Sequence, residues 1–91
     1  MKYRVLVSRT FQQKFNQIQK NFQNKIKLSL DEIQKDPYQT RPNCDVKSLK
    51  DTKPTKYRLR VGNYRIIFIV TNNEIKVIDL LKRETGYSRP D

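Results

Sequence analysis

The chain has 91 residues, with 20 Lys+Arg against 9 Asp+Glu and a formal net charge of +11 at pH 7, which allows one domain, 1–91, with a modest core. It has no His and a single cysteine, Cys44, so an internal disulfide is excluded, no zinc ligand set exists, and the scattered carboxylates argue against a magnesium site. A basic balance of this size points to nucleic acid, an anionic membrane surface or an acidic protein as partner.

Tyr3-Arg4-Val5-Leu6-Val7 reads as a short strand, after which Ser8 or Thr10 supplies a helix N-cap. Phe11, Phe15, Ile18 and Phe22 follow at helical spacing, and Phe22, Ile26, Leu30 and Ile33 continue it. One helix of that length is too long for so small a domain. A break is therefore expected near Lys20-Asn21, giving an antiparallel helical hairpin. The second helix is expected to stop at Asp36, because Pro37 disfavours helix in the residue before it. The aromatic stripe has the pattern of a core-facing helix side rather than a ligand cage. Residues 37–55 read as loop, punctuated by Pro37, Pro42 and Pro54, with Val46 and Leu49 as anchors to the core. Cys44, with no His to activate it, reads as a small loop or core residue.

Three strands are expected next, at Lys56–Val61, Tyr64–Thr71 and Glu74–Leu81. In Tyr57-Arg58-Leu59-Arg60-Val61, alternation puts Tyr57, Leu59 and Val61 on one face and Arg58 and Arg60 on the other. Gly62-Asn63 suits a tight hairpin. The two strands it joins then display Arg58, Arg60 and Arg65 together, a cluster that repels itself unless it meets an anion. After Arg65 the strand Tyr64-Arg65-Ile66-Ile67-Phe68-Ile69-Val70 is apolar on both faces, as a central strand is. By parity Arg65, Ile67 and Ile69 share a side, so the arginines border an apolar floor. Asn72-Asn73 makes the next turn. The fold class is α+β, in the order β-α-α-β-β-β: an antiparallel sheet with the helical hairpin packed on one face and the arginines on the other. No apolar stretch is long enough to span a membrane. Met1-Lys2-Tyr3-Arg4 lacks the apolar run of a signal peptide, so a cytoplasmic protein is expected.

The order of elements, the run Tyr57-Arg58-Leu59-Arg60-Val61-Gly62-Asn63-Tyr64-Arg65, and Lys82-Arg83-Glu84 followed by Tyr87 resemble the RelE/ParE superfamily of toxins over nearly the whole chain. RelE-like toxins enter the ribosomal A site and cut mRNA, each held inactive by an antitoxin. ParE-like toxins share the fold, act on DNA gyrase and lack the basic catalytic set. The resemblance implies a metal-free, cofactor-free endoribonuclease whose partners are mRNA, the ribosome and a small RelB-like antitoxin with an acidic segment. It places Arg65 on the scissile phosphate. Arg83 would stabilise phosphate and protonate the leaving oxygen, and Tyr87 would stack on or orient the substrate. Arg58 and Arg60 fall where RelE has two lysines. Lys56 and Lys82 flank the set as RNA-binding residues.

Metal-free RNA cleavage needs a 2′-hydroxyl in line with the adjacent phosphorus, donors for the developing charge, and a proton for the departing 5′-oxygen. Arginine forks suit the phosphate. An arginine is a poor base, so the general base is open, with Lys56, Lys82 and Tyr57 as further groups for proton transfer. Cations around Tyr87 would favour its phenolate. Taken singly, Arg58 and Arg60 equally fit a solvated face, Tyr64 fits the core, and Lys82, Arg83 and Tyr87 fit a charged strand end with a packing residue. A gyrase-inhibiting toxin that cuts nothing, or an RNA or ribosome binder without cleavage, are the other functions this sequence allows.

Overall fold

A computed structural model describes residues 3–42, 44–49 and 53–82. Its elements are β1 (Arg4–Val7), α1 (Arg9–Phe15), α2 (Lys20–Ile33), β2 (Asp45–Leu49), β3 (Lys56–Val61), β4 (Tyr64–Val70) and β5 (Glu74–Lys82). The strands form one sheet in the order β1-β5-β4-β3-β2. β4 lies at its centre, as its two apolar faces require.

Two features differ from the sequence expectation. The sheet is mixed rather than purely antiparallel: β1 runs parallel to β5, with Val5 opposite Ile75 and Val7 opposite Val77. Alternation reveals which face a residue takes but not the direction of the neighbour, so the pattern of Tyr3–Val7 fits either pairing. There is also a further strand. β2, inside the segment read as loop, pairs antiparallel with β3 from Asp45↔Arg60 to Leu49↔Lys56. The element order is therefore β-α-α-β-β-β-β. β2 buries only Val46 fully and half-buries Leu49, so these two anchors are its whole apolar signal.

Ser8, one of the two N-cap candidates, caps α1: its Oγ accepts from the Phe11 N–H at 3.0 Å. The same hydroxyl donates to the Ile78 carbonyl at 2.8 Å. A register shift places Asp79 opposite Ile67 and Val77 opposite Phe68, leaving Ile78 as the extra residue of a bulge. Ser8 thus fastens the helix start to the one place where the β4–β5 ladder is interrupted.

The helical break comes at residues 16–19, just before the expected point. Gln23 of α2 donates its side-chain amide to the Phe15 carbonyl at 2.9 Å, the same oxygen that accepts from the Ile18 N–H at 3.1 Å. The two helices pack on the sheet, α1 against β5 and α2 against β3. α2 ends at Ile33, short of Asp36. There Arg41 reaches back: its Nη2 donates to the Glu32 carbonyl at 2.7 Å and its Nη1 to the Asp36 carbonyl at 3.1 Å. That guanidinium folds the connection so that β2 arrives beside β3.

The core lies between the helices and one face of the sheet. Phe11, Ile26 and Ile33 meet Val46, Leu59, Val61, Tyr64, Ile66, Phe68, Ile75, Val77 and Leu80 in one cluster, with Phe15, Ile18, Phe22 and Leu30 packed against it. The helical stripe is core, and Tyr64 is buried edge-on to Phe22 with ring centroids 5.6 Å apart. Cys44 is buried, and desolvation pushes its thiol up from the usual range. No helix among the described residues is long and apolar enough to cross a membrane.

A pH effect follows from the tie between α1 and β5. Lys14 Nζ lies 2.7 Å from Asp79 Oδ1. The hydrogen bond from Lys14 holds the Asp79 carboxyl below its ordinary 3.8. A depressed folded value contributes stability above the unfolded value and loses it as pH falls through the folded one. Lys14→Met should therefore flatten the loss of stability below about pH 4, measured by urea unfolding at stepped pH. The gain removed is small, about 0–1 kcal/mol, because both groups are partly exposed.

Candidate functional site

The sheet face away from the helices is built by strand parity. Its first row runs Asp45, Arg60, Arg65 and Leu81 across β2, β3, β4 and β5. The next carries Lys47, Arg58, Ile67 and Asp79. A third carries Lys76 and Ile69, with Leu6 on β1.

Arg60 and Arg65 are direct cross-strand partners, and both are exposed. At such positions Cβ atoms stand about 5 Å apart, and like charges there destabilise the pair. The hairpin that sets this opposition is the two-residue turn Gly62-Asn63, where Gly62 has φ +59°. Turns of types I′ and II′ need a positive φ at that position, and only glycine takes it without strain. The sheet thus holds two guanidinium groups side by side in solvent, an arrangement that an anion bridging them relieves.

Arg58 is different. Its side chain is only 11% exposed. Nη1 is shielded from solvent and, alone among the described buried side-chain atoms, has no hydrogen-bond partner. The nearest carboxylate oxygen is Asp45 Oδ2, 3.8 Å away, on a side chain that is 51% exposed. So Arg58 shares its face with Arg60 but does not present its fork to solvent as they do. Ile67 and Ile69 are half-buried, while Leu6 and Leu81 are exposed on the same face. Together they form the apolar floor beside the arginines.

Lys56 shares the parity of Arg58 and Arg60 and is half-buried, opposite Leu49. Lys82 stands opposite Tyr64. It lines a separate cleft of about 360 Å³ with Lys14, Gln17, Ile18, Tyr64 and Leu80, so the structure does not bring it to the paired arginines. Arg83 and Tyr87 lie outside the described residues. A second, larger cleft of about 780 Å³ opens beside Arg60, which lines it with Asp45 and with Lys25, Leu28, Asp31 and Glu32 of α2; Arg65 is not among its lining residues. Asp45 is the residue of this face that sequence reasoning missed. Its signal was available only through the strand it belongs to, since as a loop residue it has no face.

Among the described residues no group of His, Cys, Asp and Glu is arranged to hold a metal ion. What the face offers is cation density at fixed spacing, an apolar floor and one carboxylate among arginines.

Residues 5–87 match the family model described as the ParE toxin of type II toxin–antitoxin system, parDE. No curated protein matches the sequence. Among solved structures the chain is similar to the archaeal RelE–RelB complex from Pyrococcus horikoshii OT3, with a TM-score of 0.79 at 27% identity over 93% of this chain and 99% of that one. It is also similar to the RelB–RelE antitoxin–toxin complex from Methanococcus jannaschii, with a TM-score of 0.70 at 28% identity over 85% and 88%. The intact E. coli RelBE toxin–antitoxin complex shares the fold, with a TM-score of 0.62 at 19% identity over 90% and 98%.

Proposed function

This chain belongs to the ParE toxin family of type II toxin–antitoxin systems, within the RelE/ParE superfamily, and from that premise we propose that it is a ribosome-dependent endoribonuclease that cuts mRNA in the A site. The observation that carries the reading is the exposed, directly opposed pair Arg60 and Arg65. A phosphodiester placed over it gains two guanidinium donors at once and removes their mutual repulsion. The pair meets the transition state of 2′-hydroxyl attack, in which charge builds on the phosphate oxygens, more strongly than it meets the ground state. Arg83 and Tyr87 join this set as the resemblance assigns them, Arg83 as a further donor to the phosphate and Tyr87 for the substrate base. Such a protein works in the cytoplasm.

The similar P. horikoshii and M. jannaschii structures hold RelB partners. The corresponding antitoxin of this toxin carries a segment with apolar residues for Ile67, Ile69, Leu6 and Leu81, and carboxylates for Arg60 and Arg65. A segment of that kind is disordered alone and folds on binding.

The test is induction of the toxin without antitoxin, with mRNA 5′ ends mapped on stalled ribosomes. The expected result is arrested translation and cuts within the A-site codon. The second reading, a gyrase-inhibiting toxin that cleaves nothing, is favoured by the ParE identity of the matching family model. Arrest with intact mRNA and blocked DNA supercoiling selects it instead.

A further inference from the structure

Arginine at both 58 and 60 leaves neither of those positions able to take the proton of the attacking 2′-hydroxyl, since guanidinium does not deprotonate in a protein. We propose that Asp45 is the general base of this site, with Arg58 the residue that positions it. The proposal rests on the RNA-cleaving reading.

Three observations converge on it. Asp45 stands in one row with Arg60 and Arg65, directly opposite Arg60. Its carboxylate is 51% exposed and lines the cleft that Arg60 also lines, so RNA can reach it. The other acidic side chains described on the sheet are engaged elsewhere: Asp79 with Lys14 of α1, and Glu74 with Arg4 at the far edge.

The role of Arg58 follows from its burial. A fork with a shielded, unpartnered Nη1 is poorly placed to grip a phosphate. It orients the group beside it by charge rather than by a hydrogen bond, because Nη1 lies 3.8 Å from Asp45 Oδ2. The other oxygen stays available. Thr40 Oγ1 is 3.5 Å from Asp45 Oδ1 but only 3.3 Å from the Cys44 carbonyl. A hydroxyl has one proton to give, so Oδ1 shares it with the Cys44 carbonyl. A carboxylate oxygen with two lone pairs keeps acceptor capacity there, on a side chain that is 51% exposed.

The step balances without a cofactor. Asp45 takes the proton of the 2′-hydroxyl as O2′ bonds to the adjacent phosphorus. The P–O5′ bond breaks, and the leaving 5′-oxygen takes a proton from solvent. Arg60 and Arg65 neutralise the charge that builds on the non-bridging oxygens. The products are a 2′,3′-cyclic phosphate and a 5′-hydroxyl, and Asp45 returns its proton to water.

The test is single-turnover cleavage of mRNA on programmed ribosomes across pH 5–9, with ribosome affinity measured in parallel. Asp45→Asn should bind ribosomes like wild type and cleave ~100-fold or more slowly, the usual scale for losing a general base. Asp45→Glu should recover most of the rate. Arg58→Met should slow the wild type but not slow Asp45→Asn further, as expected of a residue acting through Asp45. Cleavage by Asp45→Asn at the wild-type rate overturns the assignment while leaving the nuclease reading standing. Intact mRNA with the wild-type protein overturns the nuclease reading itself.

Discussion

Arg65→Ala is expected to slow mRNA cleavage by roughly 100- to 1000-fold, the scale on which a single transition-state donor acts, while the protein stays folded. The two halves of that expectation have separate grounds. Arg65 is exposed and stands opposite another arginine. Its loss opens no cavity and relieves a like-charge contact, so stability should change by no more than about 0.5 kcal/mol. Its loss also leaves Arg60 alone to meet the charge that develops on the phosphate, with one fork of donors where there were two. Single-turnover rates on ribosomes and a denaturant midpoint separate the effects. A large fall in rate at an unchanged midpoint fits the reading. Wild-type cleavage by Arg65→Ala removes the paired arginines as the phosphate site, and a collapsed midpoint makes Arg65 structural. Arg65→Lys should recover only part of the rate, because an ammonium is a point donor and not a fork.

The sequence exposed some layers of this molecule and hid others, for physical reasons that differ by element. β4 was legible as the central strand because a strand covered on both faces must be apolar on both. The turn at Gly62-Asn63 was legible because few residues tolerate its backbone. The Ser8 cap and the Phe11-to-Ile33 stripe follow from local rules that act within a few residues of chain. The parallel pairing of β1 with β5 was hidden, since it joins the two ends of the sequence and leaves no local mark. β2 was hidden because an edge strand needs only one covered face, and it buries Val46 on a neighbour that no window around residue 46 contains. That omission carried over to the site. With residues 45–49 taken as loop, Asp45 had no face and Arg58 no neighbour. Arg58 then looked like one more solvent-facing fork, whereas it is the most shielded of the arginines on this face.

Parity carries the whole site, so the final expectation tests parity directly. Phe68→Ala should destabilise the protein by about 3–5 kcal/mol, the usual cost of removing a fully buried aromatic ring. Phe68 is 0% exposed. Its ring is stacked on Tyr57 with centroids 5.5 Å apart, and Tyr57 in turn meets Tyr38 edge-on at 5.6 Å. The ring therefore ties β4, β3 and the connection after α2 into one packed unit. A domain of this length has a total stability of roughly 5–14 kcal/mol, so the variant should be marginal or largely unfolded. Ile67, one residue earlier, faces the other way and is only half-buried. Ile67→Ala should cost about 1 kcal/mol, in keeping with the smaller apolar area it removes from water. The adjacent pair isolates side from position, because both residues lie on the same strand between the same two neighbouring strands. Urea unfolding of the two variants gives the comparison. A large loss for Phe68 beside a small one for Ile67 means that the helices cover the face of Ile66 and Phe68, which leaves Arg65, Ile67 and Ile69 open to RNA and antitoxin. Equal losses would mean that both faces are packed, and the open arginine face would no longer stand.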